Sequence, residues 1–135
     1  MKDRIAASFA KQSMMQTFGA ALDHVADGNV TLSAPILPGS RQQQGFAHAA
    51  LTFRLGDSAA GYAALTTIPK DQDVVTAEIK INLTAPAIGD RLIAKGRVIK
   101  PGRRLIVVTS EVFALNNGIK TLVAILQGTM VPVQA

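Results

Sequence analysis

Among the residues that could do chemistry, one carboxylate stands in unusual surroundings. Asp57 lies within Leu55-Gly56-Asp57-Ser58-Ala59-Ala60-Gly61, a stretch otherwise built of small and apolar side chains. Burying even a neutral polar group without a partner costs ~2–7 kcal/mol, so this acid needs a partner, water or a reaction to perform. As a reactive group it could act as a nucleophile or as a general base on water. As a structural group it would bond to backbone or to its neighbour Arg54. Other chemistries find little support. Only His24 and His48 supply imidazole and no HExxH pattern occurs, so no metal site is expected. With no cysteine, thiolate ligands, a Cys nucleophile and disulfides are excluded. No GxGxxG follows a strand, and neither a GxxxxGK(S/T) loop nor a GxSxG elbow is present. The hydratase-type spacing Asp-x4-His is also absent, because Gln43 and Gly19 stand five residues before His48 and His24.

The elements that must hold Asp57 can be read from hydrophobic spacing. Residues 4 to 25 read as helical, with Ile5, Phe9, Met15, Phe18, Leu22 and Val25 on one face and Asp27-Gly28-Asn29 as the closing turn. Val30, Leu32 and Ala34 alternate with Thr31 and Ser33 in a short strand that stops at Pro35. Residues 35 to 45 form a loop. A second helix is expected from about Phe46 to Leu65; it has no polar face, so it is buried on most sides. Beyond residue 73 everything reads as strand. From 74 to 84, Val75, Ala77, Ile79, Ile81 and Leu83 face one way and Val74, Thr76, Glu78, Lys80, Asn82 and Thr84 the other. Strands from Arg91 to Lys100, Arg103 to Leu115 and Ile119 to Val133 follow, joined at Pro101-Gly102 and at Asn116-Asn117-Gly118. Short hairpin connections imply antiparallel pairing, and strands not separated by helices exclude a doubly wound nucleotide fold. The expected fold class is α+β: one antiparallel sheet curled around the helix 46–65. Half of such a sheet still needs a cover, which points to self-association.

Composition agrees with a single domain spanning residues 1–135. With 48% hydrophobic and 17% charged residues the chain is too apolar to be disordered. The first eleven residues lack a signal-peptide core, and no apolar run is long enough to span a bilayer, so a cytoplasmic protein without membrane attachment is expected. The net charge of +5 suits an anionic partner without naming it. A nucleic-acid partner is not expected: the basic residues are dispersed, and of only six aromatics Phe9, Phe18 and Phe46 fall on expected helices.

The run Gln42-Gln43-Gln44-Gly45-Phe46-Ala47-His48-Ala49-Ala50, followed by Leu55 to Ala64, resembles the signature of PaaI-like hotdog-fold acyl-CoA thioesterases. That signature is a His, small residues after it, and an acid nine positions on. Thr76 to Ala87 is similar to the family's next strand, and Gly102-Arg103-Arg104 to its basic hairpin; the likeness covers residues 8 to 132. It implies a hotdog fold, a homodimer or dimer of dimers, and hydrolysis of acyl-CoA thioesters, with coenzyme A as part of the substrate and no separate cofactor. A non-catalytic acyl-CoA binding module of the same fold is the alternative.

Residue roles implied by the resemblance are specific. The Ala49 N–H would bind the thioester oxygen, and Asp57 would attack or activate water. Gln42 matches an amide position near the attacking site, and Thr76 a hydroxyl beside the acid. His48 belongs to the motif and is expected to hold the loop rather than shuttle protons. Lys100, Gly102, Arg103 and Arg104 would meet the coenzyme A phosphates. Ala49 and Ala50 depart from the usual glycines, which bears on acyl size. Helical geometry adds a constraint of its own. Nine residues on one helix span ~13–14 Å and about 180° of rotation, so amides near His48 cannot meet Asp57 within one chain. They meet only if two central helices pair antiparallel across a two-fold axis.

Overall fold

The computed structural model describes all of Met1–Ala135. Its elements are α1 (Lys2–Lys11), α2 (Ser13–Thr17), β1 (Ala21–Ala26), β2 (Asn29–Pro35), α3 (Ala49–Leu65), β3 (Gln72–Leu83), β4 (Arg91–Lys100), β5 (Ile106–Asn116) and β6 (Ile119–Gln134). Six strands form one antiparallel sheet in the order β1-β2-β4-β5-β6-β3. The sheet wraps α3, as the patterning predicts. No helix is long and apolar enough to cross a membrane.

Two details of sequence set the packing of α3 on the sheet. A Cβ at Gly96 would lie 2.2 Å from the Ala59 carbonyl, so only glycine lets the middle of α3 rest on β4. Leu51, Leu55, Ala59, Ala63 and Leu65 of α3 then join Leu32, Leu92, Val112 and Leu126 of the sheet in one buried core. The β5–β6 hairpin closes through Asn117 (φ 51°) and Gly118 (φ 79°), the left-handed pair that a two-residue turn requires.

Four expectations need correction. Residues 4 to 25 are not one helix. The chain turns extended at Gln12, breaks again at Gly19 (φ 66°), and runs as β1 from Ala21. Leu22 and Val25, three apart, look helical, but a bulge between Leu22 and His24 puts both on the inner face opposite Leu32 and Val30. A second bulge, between Thr76 and Glu78, breaks the alternation of β3. Val74 and Thr76 therefore face inward together with Ile79 and Ile81, while Val75 is 50% exposed. Finally, the strand expected from Arg103 begins at Ile106, leaving residues 101–105 as a loop.

Helix α3 also starts later than Phe46 and is less buried than its composition suggests. Ala50, Phe53, Arg54, Asp57, Ser58 and Gly61 are exposed or half-buried, at spacings of three and four. They form one continuous open stripe along the helix.

Candidate active site

Asp57 sits on the open stripe of α3, half-buried at the edge of a cleft of about 320 Å³. The β3 bulge turns Thr76 toward it, and the Thr76 hydroxyl donates to Asp57 Oδ1 at 2.8 Å. Arg54, the partner expected on structural grounds, makes no hydrogen bond to it. Oδ2 has no protein partner, which leaves half the carboxylate free for a water or a substrate atom. A structural acid is normally satisfied on both oxygens; this one is held on one side and open on the other.

The start of α3 builds the second half. His48 is the N-cap, with extended backbone (φ −62°, ψ 141°), and its Nδ1 accepts from the Ala50 N–H at 2.9 Å. That bond caps the helix start and engages the ring nitrogen that a proton shuttle would need. The N–H groups of Leu51 and Thr52 bond the His48 carbonyl. Ala49 is thereby the first-turn residue whose N–H stays unbonded, at the positive end of a helix of 17 residues. It lines a second cavity of about 450 Å³ with Gln42, Phe46, Thr52, Leu83 and Pro86. Gln42 is fixed there by its own loop: Oε1 accepts from the Gln44 and Phe46 N–H groups at 2.5 and 3.2 Å, and Nε2 donates to Gln44 Oε1 at 3.1 Å.

The two cavities share no residue. Asp57 lines the first; Ala49 lines the second, which has no carboxylate. Strand β3 connects them, its start (Asp73, Val74, Thr76) lining the first and its last residue, Leu83, lining the second.

Comparison with known proteins decides the family. A family model described as thioesterase superfamily matches residues 44–120, a stretch holding Ala49, Asp57, Thr76 and the basic loop. The chain belongs to the thioesterase superfamily. A solved thioesterase family protein from Silicibacter pomeroyi is similar over nearly the whole length: 35% identity, 99% of this chain, 98% of that one, TM-score 0.97. The hotdog architecture expected from the sequence is thus confirmed. The BH2602 protein of Bacillus halodurans, solved with CoA, shares the fold at 24% identity and TM-score 0.78, covering 97% of this chain and 84% of its own. SSO1253 of Saccharolobus solfataricus, whose name carries the word esterase, is 37% identical over 75 residues, 56% of this chain. The match spans about half, 49%, of that curated relative.

In this superfamily member the expected site residues fall into four places. Asp57 and Thr76 are hydrogen-bonded, Ala49 and Gln42 line one cavity, and His48 caps the helix start beside Ala49. Lys100, Gly102, Arg103 and Arg104 line neither cavity. They occupy the end of β4 and the loop after it, with Lys100, Arg103 and Arg104 exposed. The sequence names Arg54 only as a structural partner of Asp57, and does not single out Tyr62, Ser8 on α1 or Gln12 just after it in the same cleft. The signal was present for the helix residues, since 54, 57, 58, 61, 62 and 65 share a helical face. For α1 there was none, because which side of α3 it covers is set by tertiary packing.

Proposed function

We propose that the protein hydrolyses acyl-CoA thioesters at a site completed by a second copy of the chain. The observation that carries this reading is the separation of Asp57 and the unbonded Ala49 N–H into two cavities along the open stripe of one helix. An antiparallel pair of α3 helices that sets Asp57 against Ala49 of the partner subunit has its two-fold axis at the residue midway, Phe53. Phe53 is 36% exposed, large and apolar, the kind of side chain a helix pair covers. β3 gives a second reason. It is a free sheet edge of 12 residues, and an antiparallel pairing with its copy brings the start of one strand to the end of the other. Both pairings join the Asp57 cleft of one protomer to the Ala49 cavity of its partner.

In the joined site the thioester carbonyl oxygen lies against the Ala49 N–H, and Asp57 lies on the open face of the carbonyl carbon. As a general base, Asp57 takes a proton from water while the water oxygen attacks that carbon. The oxyanion rests on the amide; its collapse breaks the C–S bond, and the proton leaves with the thiolate to give free acid and coenzyme A. As a nucleophile, the free Asp57 oxygen attacks directly, the thiolate leaves, and water cleaves the resulting anhydride. Either route uses the Thr76 hydrogen bond to orient the carboxylate. The exposed loop of Lys100, Arg103 and Arg104 offers cations for the coenzyme A phosphates, and the CoA seen with the Bacillus halodurans protein supports that class of ligand. A non-catalytic acyl-CoA binder would have no use for an acid held on one oxygen and open on the other.

The test is thiol release from acetyl-, medium-chain, long-chain and aryl-acetyl-CoA. Wild type turns over at least one of them, and Asp57→Ala loses roughly 10²–10⁴-fold in kcat. Binding of all four without thiol release would establish the binding module instead.

A further inference from the structure

Arg54 is one helical turn before Asp57 on the open stripe of α3 and lines the same cleft. Its guanidinium lies against Phe18, 5.6 Å from the ring centroid. Two of its nitrogens, Nε and Nη2, have neither a hydrogen-bond partner nor contact with solvent. Asp57 does not supply one: its single side-chain hydrogen bond comes from Thr76, and neither of its oxygens bonds these nitrogens. A guanidinium stays charged at any ordinary pH, so a buried fork without acceptors works against folding. Burial pulls the Arg54 pKa below its usual value, with Asp57 and then Tyr62 opposing the shift. Within the protomer the guanidinium has the Phe18 ring and the Asp57 charge near it, but no acceptor for these two donors.

The geometry of the two nitrogens narrows the ligand. Nε–H and Nη2–H are the parallel donors of one guanidinium edge, which a carboxylate accepts with both oxygens. The α1 side of the cleft is polar as well. Gln12 donates to the Tyr62 hydroxyl at 2.5 Å and Ser8 to the same oxygen at 3.4 Å. A plain alkyl tail would strip water from these groups without replacing its hydrogen bonds. Side chains three residues apart on a helix stand about 5–6 Å from each other at Cβ, so an anion at Arg54 is only a few carbons from a carbonyl at Asp57.

We infer that Arg54 is a specificity-determining residue that receives a carboxylate at the far end of the acyl group, so that the preferred substrates are short dicarboxylic acyl thioesters. This rests on the thioesterase reading above. The donor edge is stored against Phe18, out of solvent. A turn about the outer side-chain bonds of Arg54 presents it to the ligand, and the carboxylate then supplies the acceptors the fold omits.

The experiment compares adipoyl-CoA with hexanoyl-CoA, equal in chain length and different in one terminal group. Wild type favours adipoyl-CoA in kcat/KM by at least about tenfold, and Arg54→Met lowers that ratio by about 10–100-fold. The Tm of Arg54→Met stays close to that of wild type, because Met keeps an apolar contact with Phe18 and two enclosed, unpaired donors are removed. Binding to the Asp57→Asn protein, followed by calorimetry, shows the same preference and the same loss in the double variant. That measurement reads the Arg54 assignment even if no thioester is cleaved, an outcome that would sink the hydrolase reading alone. A wild-type ratio of one or below, or a ratio untouched by Arg54→Met, overturns the assignment. So does a lower Tm with a shift to monomer on sizing, which would show that the partner subunit holds the guanidinium.

Discussion

The Asp57 cleft and the Ala49 cavity are built on one helix by opposite means. In the cleft, chemistry rests on side chains. A β-bulge aims Thr76, Thr76 fixes one oxygen of Asp57, and the other oxygen is left open. In the cavity it rests on backbone. His48 and its carbonyl engage the neighbouring first-turn amides and leave the Ala49 N–H unbonded. Neither region can bring a thioester to reaction alone, since attack on the carbonyl carbon and stabilisation of the carbonyl oxygen must occur at one group of atoms. The difference gives the proposed pairing its logic: a chain of 135 residues exposes a helix stripe and a strand edge, and pairing across them would match two unlike halves.

Substitutions that disable one half while sparing its framework sharpen this contrast. The largest expected effect in the backbone half comes from Ala49→Pro. Proline removes the N–H at the one helical position that tolerates it, and the extended His48 already suits a residue before proline. A fall of about 10²–10³-fold in kcat, with unchanged circular dichroism, is expected in the thiol-release assay. An unaffected kcat would remove Ala49 from the oxyanion role. In the side-chain half, Thr76→Val deletes the hydrogen bond to Asp57 and keeps shape; kcat should drop roughly tenfold, KM much less. Equal loss in both would mean that Thr76 binds substrate and does not orient the acid. The smallest effect belongs outside both halves. Arg103→Ala with Arg104→Ala should raise KM for CoA esters by about three- to tenfold while kcat holds, and more so at low salt. A KM that stays put would take the loop out of the site.

The two halves also differed in how far the sequence disclosed them. Helix α3, the strands from β4 onward and the Asn117-Gly118 turn follow from apolar period and turn chemistry, which are local. Asp57, Ala49 and His48 lie on α3 or cap it, so their spacing was readable as geometry. Bulges were not readable. The one at Leu22–His24 made a strand look helical, and the one at Thr76–Glu78 reversed the inner face of half of β3. A bulge depends on the register of two strands, and register is not a property of either segment alone. The setting of Arg54 was hidden for a related reason: its place beside the Phe18 ring exists only in the folded chain.

The claim of a shared site is tested most directly by mixing two inactive proteins. Asp57→Ala keeps the amide half and Ala49→Pro keeps the acid half. Unfolded together and refolded as a random mixture, half of the dimers pair one of each, and each such dimer regains one intact site of two. The expected result is about a quarter of wild-type thiol release, against near zero for either variant refolded alone. A mixture no more active than its parts would contradict the account.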